Sequence, residues 1–395
     1  MSPIATYYWP GQTHFGFGAA QRVGDEAKAL GVQQRVFLVT DSGIVAAGLL
    51  QTVLDALDMA GLETAVFDQT PPNPNTTAVD AAAAQFRDSG AELVIGLGGG
   101  SPIDAAKAVR ILAGGPPDAK IAEYALMLGD KVRPLPTVTQ MPPMIAIPTT
   151  AGTGAEVTPW GLITDPARKL KMGVGGPATI PTVALIDPAM TLPLPPHLTA
   201  ATGMDALTHL IEAYVSTNTA PIALDALIVD GLGRIGRFLR LAVAQPAHQQ
   251  AREEVMLASM LGGIAISSRW LGAAHSLAHQ LSGIADVHHG LACALMLPAQ
   301  MQFSLPGALE RYANVAQALE PCPVVGSVRE EAERGITAVR QLMRDTNLPL
   351  RLRDVGVTEE MIPILADNAV IDLNWTTNPR AITRDQMETL YRETF

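Results

Sequence analysis

The chain has 395 residues, enough for two domains that each bury a core of their own. Hydrophobic residues make up 48% and charged residues only 16%, which argues against a disordered chain and fits a compact enzyme with extensive buried surface. A formal net charge of −11 argues against nucleic-acid partners, so any bound anion must be held locally by backbone N–H groups or a placed cation.

The N-terminal residues carry neither a basic n-region nor an apolar h-region, and no apolar run reaches the ~18 residues of a spanning helix. Two cysteines, Cys293 and Cys322, cannot form a disulfide framework. We therefore expect a cytoplasmic protein with no membrane partner. Residues 5–18 have strand character and are a candidate for pairing across a homodimer or a higher homo-oligomer.

From about 35 to 190, short apolar runs alternate with amphipathic stretches. The pattern predicts strands at 35–40, 64–67, 92–96, 144–147 and 183–186, with helices over 43–60, 77–89 and 102–113. Strands separated by helices imply a parallel sheet with helices on both faces. Beyond Asp187-Pro188 and the stiff Leu192-Pro-Leu-Pro-Pro196, β-branched runs disappear. Helical spacing follows near 197–216, 221–243, 249–267, 273–282, 289–303, 307–319 and 327–346, then an irregular loop at 371–380 and a short last helix. The chain thus reads as an α/β dinucleotide-binding domain over 1–189 and an all-α metal-binding domain over 190–395.

Gly98, Gly99 and Gly100 remove every Cβ between the third strand and the helix after it. Free N–H groups and the positive end of that helix dipole suit a pyrophosphate. Ser101 is positioned to cap the helix, with Asp104 three residues on, as in a capping box. The run is not the Gly-x-Gly-x-x-Gly fingerprint, so an ordinary Rossmann assignment does not follow. Asp41 ends the first of these strands, where a carboxylate accepts hydrogen bonds from ribose hydroxyls and repels a 2′-phosphate, favouring NAD over NADP. After strand 144–147, Thr149, Thr150 and Thr153 offer further hydroxyls.

The chain has eight histidines, six of them between 209 and 289. Asp205 and His209 are four apart on an expected helix, as are His275 and His279 on another, so each pair shares a face. His288 and His289 follow, and the residues alone barely separate them. One carboxylate with three neutral imidazoles is a mixed O/N set suited to Fe²⁺ or Zn²⁺.

Together the motifs resemble the iron-containing (group III) alcohol dehydrogenase family. The likeness is most specific in Gly98-Gly-Gly-Ser-Pro-Ile-Asp-Ala-Ala-Lys107, Pro148-Thr-Thr-Ala-Gly-Thr-Gly-Ala-Glu-Val-Thr158, Ala201-Thr-Gly-Met-Asp-Ala-Leu-Thr-His-Leu-Ile-Glu-Ala-Tyr214 and Ala274-His-Ser-Leu-Ala-His279 through His289-Gly290. The resemblance implies the dehydroquinate synthase-like architecture, with the active site in the cleft between two domains. It implies Asp205, His209, His275 and His289 as metal ligands, the last chosen over His288 because the family ligand directly precedes Gly. It implies Asp41, Gly98, Gly99, Gly100, Ser101, Asp104, Thr149, Thr150, Thr153 and Lys171 around NAD. His279 matches a histidine near the substrate that is not a ligand, the expected catalytic proton carrier.

Two departures bear on the substrate. Ser267-Ser-Arg-Trp-Leu-Gly272 is bulkier and more cationic than the usual family stretch, and Trp160 stands where a smaller polar residue is common. Trp160, Arg269, Trp270, Leu271 and Asn374 are expected near the substrate pocket. The leading expectation is a metal-dependent oxidoreductase that interconverts a primary alcohol and an aldehyde with NAD(H). Two other readings are a hydroxyacid dehydrogenase or hydroxyacid–oxoacid transhydrogenase, with Arg269 holding a substrate carboxylate, and a non-enzymatic NAD(H)-binding redox sensor. Maleylacetate reductases resemble the family but lack its Asp ligand, so Asp205 argues against that relative.

Overall fold

The computed structural model describes residues 5–126, 132–168, 170–219, 221–323 and 325–395. The chain forms two compact units. One comprises Trp9–Thr150 and Ala155–Pro193, and the other comprises Leu194–Phe395, Ala151–Gly154 and the described residues up to Tyr8. The helical unit therefore takes in two short segments that lie well before the expected 189/190 division.

In the first unit the strands are β1 (Gln12–Phe15), β2 (Arg35–Val39), β3 (Glu63–Phe67), β4 (Leu93–Gly98), β5 (Ala125–Leu126), β6 (Met144–Pro148), β7 (Trp160–Asp165), β8 (Leu170–Gly175) and β9 (Val183–Ile186). The helices are α1 (Val23–Ala29), α2 (Ser42–Ala46), α3 (Leu49–Met59), α4 (Thr76–Ser89) and α5 (Gly100–Gly114). Six strands make one sheet in the order β1-β9-β6-β4-β2-β3, paired in parallel throughout. Alternation along each strand explains the sandwich: Phe37 and Val39 join one core, while Val36 and Leu38 join the other. A strand buried on both faces needs apolar residues at every position, which is why β2 and β4 read as unbroken runs.

One expectation changes here. The single helix over 43–60 is two, α2 and α3, separated by Gly48 at φ 74°, a left-handed position that glycine adopts without penalty. Residues 12–15 form β1, a strand at the edge of the sheet with β9 of the same chain as its neighbour. The antiparallel sheet β5-β8-β7 escaped the sequence reading because β5 is two residues long and β7 and β8 are interrupted by glycine and polar residues, leaving no unbroken apolar run.

The helical unit consists of α6 (Pro196–Val215), α7 (Leu224–Ala244), α8 (Gln249–Arg269), α9 (Ala273–Ile284), α10 (His289–Ser304), α11 (Leu309–Leu319), α12 (Val328–Asp345), α13 (Ile362–Ala369) and α14 (Arg384–Thr394). No strand occurs among its described residues. Helix α6 is buried on nearly all sides from Thr199 to Val215, as a central helix must be. No single described helix is long and apolar enough to cross a membrane.

Glycines set the closest approaches around α6 and α7. A Cβ on Gly236 in α7 would lie 2.1 Å from the Leu319 carbonyl oxygen, at the end of α11. Since backbone cannot yield as a flexible side chain does, Gly236→Ala should cost about 1–3 kcal/mol. Urea unfolding monitored by circular dichroism measures this, and an unchanged midpoint would refute the close contact.

Candidate functional site

Helix α6 carries Asp205, His209 and Glu212 at i, i+4 and i+7, so all three leave one face. Helix α9 brings His275 and His279, and His289 opens α10. His209, His275 and His289 converge on one atom. Their Nε2 atoms lie 3.7, 3.6 and 3.6 Å from Asp205 Oδ1. Donors held by a single ion at ~2.0–2.2 Å stand about 3.3–3.6 Å apart in a tetrahedron, so the spacing is close to that of a coordination shell. Asp205 Oδ1 and His275 Nε2 are buried and have no hydrogen-bond partner. Buried polar atoms are costly when unsatisfied, and a cation among them would satisfy both. The residues fit a divalent metal.

Supporting contacts fix the imidazoles. Glu212 Oε2 lies 2.5 Å from His275 Nδ1, and Glu212 Oε1 accepts from the Ala274 N–H at 2.7 Å. Such a carboxylate orients the ring so that the other nitrogen faces the metal position. Gly272 is needed for this seat, because a Cβ there would be 2.6 Å from Glu212 Oε1. His209 Nδ1 faces the Gly152 carbonyl at 3.2 Å, and its ring stacks on that of His275 with centroids 4.7 Å apart. His288 is exposed as the residue before α10, whereas His289 turns inward. A Cβ on Gly290 would lie 2.3 Å from the Ala201 carbonyl, so this glycine lets α10 start directly against α6.

The charges respond to one another. Burial opposes ionisation of Asp205, yet His209, His289 and His275 together hold its carboxyl well below the usual carboxylate range. Burial pushes His209 down to about 4 despite the pull of Asp205. Burial also works against a charge on His275, but Cys293, Glu212 and Asp205 outweigh it and raise it well above the usual imidazole value. His279 stands beside the cluster. Its Nδ1 is 2.8 Å from Asp372 Oδ2, and Asp372 Oδ1 accepts from Ser276 Oγ at 3.1 Å and from the Asn374 N–H at 2.8 Å. His279 and those neighbours hold Asp372 below the usual carboxylate range although burial pushes the other way.

In the α/β unit, Asp41, Gly98–Gly100 and Thr149–Thr150 lie at the carboxyl ends of β2, β4 and β6, which are neighbours in the sheet. The chain runs outward to β3 on one side of β2 and β4, then to β6 and β9 on the other. That reversal is the topological switch point where ligands of open α/β sheets bind. Gly98 adopts φ 147°, and a Cβ on it would meet Pro102 at 2.6 Å. The Thr150 hydroxyl is buried without a partner, next to where a Cβ on Gly99 would stand (3.4 Å). An open backbone cradle beside an unsatisfied hydroxyl fits a pyrophosphate.

Other expected cofactor residues have structural duties. Helix α5 begins two residues earlier than expected, so Gly99 is its N-cap and Ser101 lies inside the first turn, with no capping box. Asp104 Oδ2 instead accepts from the Leu162 N–H at 2.9 Å, beside Lys107 at 3.9 Å. Asp41 caps α2 through the Ile44 N–H at 3.0 Å. Lys171 Nζ donates to Asn73 Oδ1 at 3.0 Å. Thr153 belongs to the helical unit, not to the sheet unit with Thr149 and Thr150.

Of the expected pocket residues, Arg269 needs correction. Its side chain is fully buried, with the guanidinium on Asp225 at 2.5 Å, the Pro221 carbonyl at 2.9 Å and the Ala213 carbonyl at 3.4 Å. A buried arginine must be paired, and this one is paired inside the fold, so it offers nothing to a substrate carboxylate. Trp270 takes φ 67° where α8 ends, and Leu271 gives its carbonyl to Thr377 Oγ1 at 2.5 Å. Asn374 Nδ2 comes within 3.5 Å of His279 Nδ1. Trp160 is half-buried on β7, and its carbonyl accepts from Lys107 at 2.7 Å. The sequence reading missed Glu212, Asp372 and Cys293. The i+7 spacing from Asp205 was a signal for Glu212, and the i+4 spacing from His289 a signal for Cys293; nothing local marks Asp372.

Two family models cover the chain almost end to end: "Iron-containing alcohol dehydrogenase" over residues 10–188 and "Fe-containing alcohol dehydrogenase family, C-terminal" over residues 199–395. The chain is 36% identical over 392 residues to the 1,3-propanediol dehydrogenase of Klebsiella pneumoniae, covering 98% of each. A crystal structure of 1,3-propanediol oxidoreductase superposes with a TM-score of 0.93 at 36% identity, covering 100% of both chains. The sulfoacetaldehyde reductase of Bifidobacterium kashiwanohense, solved in complex with NAD⁺, superposes with a TM-score of 0.86 at 30% identity, covering 99% of both.

Two predictions follow from the buried carboxylates. Glu212→Gln should weaken divalent-metal affinity about 10–100-fold, as loss of a carboxylate behind a ligand histidine does. Competition against a chromophoric chelator reads this, and an unchanged affinity would remove Glu212 from the site. Glu156, near Lys107, is pushed up to about 7 from its ordinary 4.5 by burial. The native state then binds the extra proton, so stability should fall as pH rises from 4.5 to about 7. Lys107, lowered by burial from 10.5 to about 8, gives the opposite slope between those values. Glu156→Gln should flatten the lower limb in thermal melts across pH, and a persistent slope there would assign it to another group.

Proposed function

The chain belongs to the iron-containing alcohol dehydrogenase family, and from that premise we propose that it interconverts a small primary alcohol and the corresponding aldehyde, with NAD(H) and one divalent ion. One observation carries this reading: a buried, hydrogen-bond-free carboxylate oxygen surrounded by three imidazole nitrogens at 3.6–3.7 Å. Asp205, His209, His275 and His289 would hold the ion. Iron is the metal of the family name, and zinc suits the same O/N donors. When bound, such an ion supplies Lewis acidity, favouring the alkoxide form of an alcohol and polarising an aldehyde.

The remaining work falls to the chain's own residues. The N–H groups at Gly98–Gly100 and the Thr150 hydroxyl hold the pyrophosphate, and Thr149 is fixed beside them by its N–H bond to the Gly98 carbonyl at 2.9 Å. Asp41 follows β2, where its carboxylate meets ribose hydroxyls and disfavours a 2′-phosphate. His279 carries the proton exchanged with the substrate oxygen. Asp372 holds its Nδ1, leaving Nε2 as the working atom. Trp160, Trp270, Leu271 and Asn374 shape the substrate side, and Lys171 flanks the cofactor. With Arg269 committed to Asp225, a carboxylate substrate has no cation at that position, and the hydroxyacid reading loses its support.

The 1,3-propanediol dehydrogenase and the sulfoacetaldehyde reductase act on different alcohol–aldehyde pairs, and the substrate of this chain belongs to the same general class. We place the enzyme in the cytoplasm, where Cys293 and Cys322 stay as thiols, and we expect a homo-oligomer. Anaerobic purification with elemental analysis, followed by a panel of alcohols and aldehydes with NAD(H), tests the whole reading. His275→Ala should abolish bound metal and turnover while NADH binding, followed by its fluorescence, persists. Normal turnover by that variant without metal would overturn the assignment.

A further inference from the structure

Cys293 lies on α10 four residues after His289, so the two side chains share a helix face. The cysteine is fully buried, and its Sγ is 3.7 Å from His289 Nε2. One donor atom each from Asp205, His275, His289 and Cys293 lie within 4.8 Å of one another. A buried cysteine usually serves as a small apolar filler, indifferent to its neighbours. This one instead borders a carboxylate oxygen and an imidazole nitrogen, Asp205 Oδ1 and His275 Nε2, that are themselves buried without hydrogen-bond partners. For bonds of ~2.3 Å to sulfur and ~2.0–2.1 Å to nitrogen, neighbouring donors in a five-donor shell, at angles of about 90–120°, stand about 3.1–3.8 Å apart. The 3.7 Å between Sγ and His289 Nε2 falls in that range.

The geometry points to Cys293 Sγ as an additional donor at the metal centre, turning an oxygen–nitrogen site into an oxygen–nitrogen–sulfur site. The inference rests on the metal reading given above and extends it. Sulfur binds as the thiolate, and its proton leaves to solvent as the bond forms. With Asp205 it brings two negative charges to a divalent ion. A soft thiolate also shifts preference among ions, away from iron and toward zinc.

Cobalt tests the sulfur directly. The holoprotein is stripped with chelator and reloaded anaerobically with Co²⁺ alone, and its visible and near-ultraviolet absorption is recorded. Visible bands report a bound ion, and an intense near-ultraviolet thiolate-to-cobalt charge-transfer band reports sulfur on it. The wild type should show both. Cys293→Ser and Cys293→Ala should keep the visible bands and lose the charge-transfer band, while Cys322→Ser, at an exposed thiol, should keep it. Visible bands without the charge-transfer band in the wild type would overturn the sulfur donor and leave the metal site standing. Failure of the wild type to bind cobalt would overturn both. In parallel, equilibration with equal Fe²⁺ and Zn²⁺ followed by elemental analysis should show a higher iron share in Cys293→Ser than in the wild type. An equal share would refute the selectivity role.

Discussion

The helical unit depends on keeping one carboxylate oxygen in the dark. Asp205 is almost wholly buried, its Oδ1 has no hydrogen bond, and three imidazole nitrogens face it. Such an atom is a liability in an apolar interior unless positive charge reaches it. Much of the surrounding architecture makes sense as a response. Gly290 lets α10 start against α6, Gly272 makes room for Glu212, and Glu212 turns the His275 ring. Each small residue serves the approach of a larger polar one.

The groups that the α/β unit leaves open to a ligand are of another kind. There the donors are backbone N–H groups and a hydroxyl, laid out where neighbouring parallel strands end. Lys107 is buried beneath, tying the Thr158 hydroxyl and the Trp160 carbonyl rather than facing solvent. A protein of net charge −11 can hold a phosphate this way because the binding groups are local dipoles at short range.

Legibility in the sequence followed the range of the interaction. Asp205 with His209 could be read from spacing four, because helical geometry alone decides it. Glu212 obeys the same rule at spacing seven but sits in a run dominated by apolar neighbours, where the carboxylate looks incidental. Asp372 reaches His279 across 93 residues, and no local pattern encodes such a contact. His288 and His289 are chemically identical, and their separation is a matter of helix phase, visible once Gly290 is known to press against the Ala201 carbonyl. Arg269 looked available because sequence shows charge without showing its partner; Asp225, 44 residues earlier, had already claimed it. The parallel sheet was readable because doubly buried strands leave unbroken apolar runs, whereas the β7–β8 hairpin leaves none.

The segment Ala151–Gly154 has one more consequence. It is part of the helical unit although the chain on both sides of it belongs to the sheet unit, and its Gly152 carbonyl faces His209 Nδ1. The helical half is therefore not a self-contained cassette. An excised fragment starting at Leu194 would lack the carbonyl that steadies one imidazole. During synthesis, too, that tetrapeptide leaves the ribosome well before the helices it must join, so the completed half has to close around a piece of chain already anchored at both ends. Modular exchange between relatives at the apparent domain border would sever this stitch, and swaps that carry the tetrapeptide along with the helices would keep it.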